Sequence, residues 1–337
     1  MTIKFMQKKI LLLILCAGYQ IFLYAQDPHF TQFTSAPFTV NPAFAGAFNG
    51  DVRFMSNYRQ QWANLVDPFT TALVAGDFKF GNSNTNYTQS PFNIGVQLMQ
   101  DKSMSGAFKS NYGGIIGSYH VKIDPSENQT LGVGLSLNYG TRRIDFSNIS
   151  FDTQFTSGGF DLSLPNGEIA MQNMKPFYTI GAGILFRSND PTTGTFFDFG
   201  FSGYHFNKPV QTVFDDPNQT LPIRLSGQFS FQKYLSSYSI LYINGLFQKQ
   251  ASVSYLLTGF SLAKLFGNSN ENMFGGGLMY RTKESFSPHV YIEYSNLRIG
   301  CSYDIAYNNL KRTLTPASSL ELSVQWRFGV VNEIVFK

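Results

Sequence analysis

Apolar and polar residues alternate with period two along most of the chain. Leu131, Val133, Leu135, Leu137 and Tyr139 alternate with Gly132, Gly134, Ser136, Asn138 and Gly140. Leu320, Leu322, Val324, Trp326 and Phe328 alternate with Glu321, Ser323, Gln325 and Arg327. Phe92, Ile94, Val96 and Leu98 do the same against Asn93, Gly95 and Gln97. Successive strand side chains point to opposite faces, so each segment carries one apolar face and one polar or small one. Counting such segments predicts about 14 strands. They fall at 51–60, 70–80, 91–101, 110–123, 129–142, 175–187, 195–206, 221–232, 239–249, 252–265, 272–282, 287–295, 297–307 and 318–328. Beyond the first residues, nowhere do 18 apolar residues run together, which excludes helical membrane spans.

An apolar face repeated over so many antiparallel strands suits lipid, and the opposite face suits a lumen. The fold class this predicts is all-β, a transmembrane antiparallel β-barrel. A soluble β-sandwich or propeller is the alternative. Composition favours the barrel. Only 14% of residues are charged, 16% are aromatic, and phenylalanine occurs 34 times. Aromatic girdles at two membrane interfaces use residues in this way. Several links are short and turn-like, such as Asp124-Pro125-Ser126-Glu127-Asn128. The longest irregular stretch, about 145–174, reads as a surface loop or a lumen-filling segment.

The start of the chain is different. Lys4, Lys8 and Lys9 precede an apolar run from Ile10, and Ala25 offers a small residue for cleavage. Residues 1–25 are expected to be a secretory signal peptide. Those three lysines account for most of the formal net charge of +4, leaving +1 for the rest. The chain's basicity therefore gives no reason to expect nucleic acid as a partner. Past the leader only Cys301 remains, so no internal disulfide or cysteine metal cluster is expected. In residues 26–50, X-Pro steps such as Asp27-Pro28 and Asn41-Pro42 argue against a regular strand. They are expected to form a periplasmic arm or a plug inside the barrel, with 51–337 as the barrel itself.

Little in the chain points to catalysis. His29, His120, His205 and His289 have no metal-ligand spacing. The Gly-x-Ser-x-Gly elbow of a serine hydrolase is missing. The pairs Gly132/Gly134 and Gly181/Gly183 lie at period two within strands and read as small lumen-facing positions, not phosphate loops. Asp215-Asp216-Pro217-Asn218 lacks the rest of a calcium loop. No enzyme activity, catalytic residue, metal or cofactor is expected. The first strand holds the more informative polar residues, Arg53 and Arg59, which share parity. An arginine facing lipid near the midplane costs about 2–4 kcal/mol, so both are placed on the lumen side or at the rim. Two roles stand open for them: a lumen ion pair with Asp77 or Glu293, or contact with a partner chain.

Gln26-Asp27-Pro28-His29-Phe30-Thr31-Gln32-Phe33 resembles the mature start of the PorP/SprF family of type IX secretion membrane proteins. Asn41-Pro42-Ala43-Phe44-Ala45-Gly46 and Tyr58-Arg59-Gln60-Gln61-Trp62 are similar to that family's signatures. Tyr280-Arg281, Ile299-Gly300-Cys301-Ser302-Tyr303-Asp304 and Glu321-Leu322-Ser323 also look like family elements. The resemblance implies a non-enzymatic outer-membrane barrel of the Bacteroidota. Its implied partners are type IX secretion components in the periplasm or the C-terminal domain of a large secreted adhesin, often of gliding motility. Outer-membrane lipid surrounds such a barrel. The candidate partner-binding or lumen residues are Asn41, Pro42, Arg53, Tyr58, Arg59, Trp62, Arg281, Tyr303 and Asp304. The expected function is assisting export or surface anchoring of the adhesin. The alternative is an outer-membrane pore or transporter for small hydrophobic or polar solutes.

Overall fold

The structure is a computed structural model that describes residues 27–62, 67–80, 92–126, 128–145, 149, 151–161, 163–165, 174–211, 218–267, 271–307 and 318–329. The expected signal peptide at 1–25 lies outside these. Five strands lead the barrel: β1 (Val52–Gln61), β2 (Phe69–Phe80), β3 (Phe92–Ser103), β4 (Phe108–Lys122) and β5 (Gln129–Ile144). A two-residue hairpin follows, β6 (Phe155–Thr156) with β7 (Gly159–Phe160). The barrel resumes with β8 (Phe177–Asp190), β9 (Thr195–Tyr204), β10 (Arg224–Ser236), β11 (Ser239–Gln250) and β12 (Val253–Phe266). It ends with β13 (Asn272–Arg281), β14 (Ser285–Tyr294), β15 (Leu297–Ala306) and β16 (Ser318–Phe328).

The large sheet is a closed antiparallel barrel of fourteen strands in chain order, with β1 paired to β16. Val52 sits opposite Phe328 and Gln61 opposite Ser319, so the closing seam is as long as β1. Closure leaves no strand edge in lipid, where an unpaired backbone group is costly. No helix among the described residues is long and apolar enough to cross a membrane. The strands do the crossing.

The period-two pattern sorts the side chains as expected. Leu98, Ile115, Leu135 and Val74 point outward and are more than half exposed. Arg59, Asn57, Asn93, Ser136, Arg281 and Glu321 point inward and are buried. Rings gather at the ends of the outer face. Phe78, Phe80 and Phe92 form a row at one rim, and Tyr139 meets Tyr178 towards the other, with centroids 5.2 Å apart.

Most strand ends fall within a few residues of the sequence reading, and two strands run on past it. β10 was expected to stop at 232 but runs to Ser236, and β8 was expected to stop at 187 but runs to Asp190. A membrane crossing needs only about 9–11 tilted residues, and these strands have 13 and 14. The extra residues stand beyond the hydrocarbon, where the outer face need not be apolar and the alternation fades.

Both ends of the barrel chain, at β1 and β16, reach the same rim as the short links 191–194, 237–238 and 295–296. The two longest links, 145–176 and 205–223, join strands at the opposite rim. Short periplasmic turns and long external loops are the rule for outer-membrane barrels. The first rim is therefore the periplasmic one and the second the outer one.

Candidate functional site: an arm held in the lumen

Residues 27–50 traverse the barrel interior from the outer rim to the periplasmic rim. Three single 3₁₀ turns, at Phe33–Ser35, Pro37–Thr39 and Pro42–Phe44, shorten the path. Proline suits the start of such a turn because its missing N–H would have no partner there. Asn41 caps the third turn. Its side-chain oxygen accepts a hydrogen bond from the Ala43 amide at 2.9 Å.

At the outer rim the arm is held by charge. The Asp27 carboxylate lies 3.1 Å from Arg224 at the start of β10 and 2.6 Å from His205 just past β9. The Asp27 amide donates to Gln250 Oε1 at 3.0 Å. Burial alone would raise the Asp27 carboxyl, but His205 and Arg224 outweigh it and hold it below the ordinary carboxylate range. His29 packs on Tyr255, with ring centroids 5.4 Å apart. Burial, and then the Arg281 guanidinium, push its imidazole down to about 4. At neutral pH its 3.9 Å approach to Glu284, in the β13–β14 turn, is therefore not an ion pair.

One turn deeper, Thr31 sits at the centre of a buried knot. Its hydroxyl accepts from Arg59 Nη1 at 2.7 Å and from Arg281 Nη2 at 2.9 Å. The same hydroxyl donates to Asp304 at 3.0 Å. Glu321 accepts the Thr31 amide on one carboxylate oxygen (2.7 Å) and the Gln32 amide on the other (2.8 Å). Arg59 closes the knot, 2.6 Å from Asp304 and 3.1 Å from Glu321. Strands β1, β13, β15 and β16 thus converge on two arm residues.

In the middle the hold is apolar and steric. Phe33 and Val40 pack on Leu246, Leu257 and Met279. Phe38 and Ala45 pack on Met55, Ala75 and Ile116. The Asn41 amide nitrogen donates to the Ile184 carbonyl at 2.9 Å. A Cβ on Gly134 would lie 2.3 Å from the Ala43 nitrogen, and one on Gly183 would lie 2.1 Å from Asn41 Oδ1. The two glycine positions are therefore where the arm's backbone and cap meet the wall, not simply small lining.

At the periplasmic rim, the Ser118 hydroxyl donates to the Ala45 carbonyl at 2.7 Å, and Asp77 accepts the Gly46 amide at 2.7 Å. Arg53 grips the same carboxylate through Nε (2.9 Å) and Nη2 (2.8 Å), and Nη2 also reaches the Phe44 carbonyl at 3.1 Å. This is a buried bidentate pair that reads an arm carbonyl as well.

Six of the nine sequence candidates meet the arm or belong to it: Asn41, Pro42, Arg53, Arg59, Arg281 and Asp304. Tyr58 and Tyr303 point the other way, 43% and 45% exposed on the lipid face. Trp62 stands just past β1 with a positive φ of 58°, its ring edge-on to Phe69 at 5.0 Å. The expected pairing of Arg53 with Asp77 is present. Arg59 pairs with neither Asp77 nor Glu293, because register places it opposite Glu321 of β16. Glu293 is taken by Arg298 and Arg327. Sequence reading missed Thr31, Asp27, His205 and Arg224 as holding residues. Glu321 carried a signal, as the acidic member of the inward set in the last strand. Thr31 carried none, since its importance comes from four strands meeting there.

The family model described as type IX secretion system membrane protein PorP/SprF matches residues 22–326, arm and barrel together. The chain belongs to the PorP/SprF family. It is an outer-membrane barrel of the type IX secretion system, and components of that system are its implied partners. No curated protein matches it. Among solved structures, PorP/SprF architecture here is similar to the CymD monoaromatic hydrocarbon channel at 11% identity and a TM-score of 0.46, covering 87% of this chain and 92% of that one. It is also similar to the P. putida toluene transporter TodX, at 9% identity and 0.45, covering 86% and 92%. A Pseudomonas aeruginosa FadL homologue follows at 10% and 0.43, covering 86% and 93%.

Proposed function

We propose that this PorP/SprF barrel holds the C-terminal domain of a secreted adhesin, of the gliding or adhesion type, at the surface of a Bacteroidota cell. In this reading residues 1–25 deliver the chain to the envelope as a cleaved leader. Residues 26–50 become the plug and 51–337 the barrel. One observation carries the proposal: the lumen is filled by a segment bonded or packed to β1–β5, β8–β13, β15 and β16. A barrel of this size needs filling or else conducts. Filled in this way, it offers partners its rims and loops. Strand pairing and aromatic contacts at the outer rim are the natural modes of holding. Arg53, Arg59, Arg281 and Asp304 keep the plug seated, and no residue is assigned catalysis.

Deleting the chain and following surface display of the co-encoded adhesin tests this. Display should fall to background, and unchanged display would sink the proposal. Planar-bilayer recording of the purified barrel tests the transporter alternative. The seated arm should keep conductance at baseline, whereas a stable open pore would favour solute transport.

A further inference from the structure

The link between β5 and β8 stands above the membrane. The outward face of β5 is apolar from Leu131 to Tyr139, and the Tyr139–Tyr178 ring pair marks the outer girdle. Further along β5, Arg143 points outward with its side chain 57% exposed. A charge on that face is tolerated only beyond the hydrocarbon. The described residues of the link that follow Arg143 are therefore in water.

The described part of this link is an ordered unit built around a glutamine. Gln154 is 3% exposed. Its side-chain oxygen accepts from the Phe151 amide at 3.1 Å and its nitrogen donates to the Leu164 carbonyl at 2.7 Å. Its backbone carbonyl accepts from the Asp161 amide at 2.9 Å. With a polar side chain at its centre, the unit half-buries Phe151 and leaves its other two described phenylalanines outside. Phe155 and Phe160 are 64% and 58% exposed, and their rings meet edge to face at 5.0 Å. An exposed aromatic pair rimmed by polar residues marks an interaction site. Among the described residues neither β6 nor β7 has a second strand neighbour, so the hairpin offers free edges.

Charge selects the occupant. The link 145–176 holds Asp145, Asp152, Asp161 and Glu168 against Lys175 alone, and Asp145 is paired with Arg143 at 3.4 Å, which leaves Asp152 and Asp161 as the charges beside the hairpin. An anionic membrane surface repels such a segment, and so does a second copy of it. We propose that the 155–160 hairpin is the docking edge for an extended basic segment of the secreted partner, with apolar side chains at alternate positions. The segment adds as a strand, its apolar side chains cover the Phe155–Phe160 pair, and its lysines or arginines face Asp152 and Asp161. This rests on the partner-holding reading above and names the surface that does the holding.

The test uses the full chain in zwitterionic micelles and two fluorescent decapeptides, one alternating Lys and Val, the other Glu and Val. The Lys–Val peptide should bind at least about tenfold more tightly. Phe155→Ser/Phe160→Ser should weaken it by about tenfold, and Asp152→Asn/Asp161→Asn should weaken it and flatten its salt dependence. Heat-modifiable electrophoretic mobility checks that each variant remains a barrel. Equal affinity for the two peptides, or binding indifferent to the phenylalanine pair, overturns the proposal. So does a blue shift of Phe155→Trp on adding anionic vesicles without peptide, which makes lipid the occupant. So does a dimer abolished by Phe155→Ser/Phe160→Ser. In cells the two readings separate. If deletion leaves adhesin display intact, the partner-holding function itself fails. If deletion abolishes display and Phe155→Ser/Phe160→Ser restores it in full, only the docking edge fails.

Discussion

Replacing Arg59 by methionine is expected to release the arm while the barrel stays closed. Methionine keeps much of the side-chain volume, so the loss is chiefly one of charge. Arg59 is 1% exposed and lies 2.6 Å from Asp304 and 3.1 Å from Glu321, with a further bond to Thr31. Removing one partner from a buried ion pair costs about 3–5 kcal/mol, because the charge left behind has lost both water and its counter-ion. Here two carboxylates are left, with Arg281 alone close to Thr31 between them. The cheapest relief is for Thr31 and Gln32 to withdraw from Glu321 and let water in. The ladders β1–β16 and β1–β2 are backbone bonds and are untouched. A penalty of that size multiplies the open population of the arm by roughly a hundred- to a few-thousandfold. The assay is thiol labelling of Phe30→Cys in a Cys301→Ser background, since Phe30 is 2% exposed and shielded while the arm is seated. Labelling should accelerate by that factor in Arg59→Met and stay at the parent rate in Tyr58→Ala, whose side chain faces lipid. A parental rate in Arg59→Met would refute the knot as the arm's latch. Loss of heat-modifiable mobility would refute the separation of arm from wall.

Acid should loosen the arm's outer end. The seated His29 takes its proton only near pH 4, whereas a released one does so near its ordinary value of 6.5. Between those values the released state binds more protons, so seating weakens as pH falls from 6.5 to 4. Asp27 has the same sign, since its depressed carboxyl stabilises seating above the ordinary carboxylate range and loses that effect in stronger acid; amide hydrogen exchange of residues 27–32, followed from pH 6.5 through 4 and on into stronger acid, measures the two in turn. Gly134→Val should keep the arm from seating at all, because the atoms in its way are Pro42 and Ala43 backbone; the readout is protease cleavage within 27–50 of a barrel that remains heat-modifiable. Deleting residues 27–50 should convert a silent barrel into a conducting one in planar bilayers, and a silent deletion variant would mean that inward wall side chains close the lumen without the arm.

The fold was legible because a transmembrane barrel writes itself in a repeated local signal. Fourteen segments each alternate against the same two solvents, and lipid tolerates few exceptions on the outer face. The signal weakened where the strands leave the membrane, which is where the expected ends of β8 and β10 fell short. The holding site was half legible. Arg53 and Asp77 sit opposite each other on neighbouring strands, so parity and order were enough to pair them. Arg59 required the register of the closing seam, which joins the first strand to the last and leaves no trace in local sequence. Thr31 and Asp27 are ordinary polar residues in an irregular segment. Their roles exist only because a barrel wall surrounds them.

The direction of the arm constrains how this barrel forms. Asp27 is fixed at the outer rim by Arg224 and His205, while Asp51 leads into β1 at the periplasmic rim. The segment that enters the lumen is therefore the one immediately before the first strand of the closing pair. Its bonds reach β1 and β16 through Arg59 and Glu321, the two residues that face each other across that pair. Threading this segment into a finished barrel would require Phe30, Phe33 and Phe38 to pass inward side chains packed as closely as those around Gly134 and Gly183. Laying it against an open sheet meets no such obstacle and gives the Glu321 carboxylate the Thr31 and Gln32 amides as donors. Arg59 and Glu321 meet across the β1–β16 pair, and both bond to Thr31. The same pair of residues thus reports that the arm is in place and that the barrel is shut.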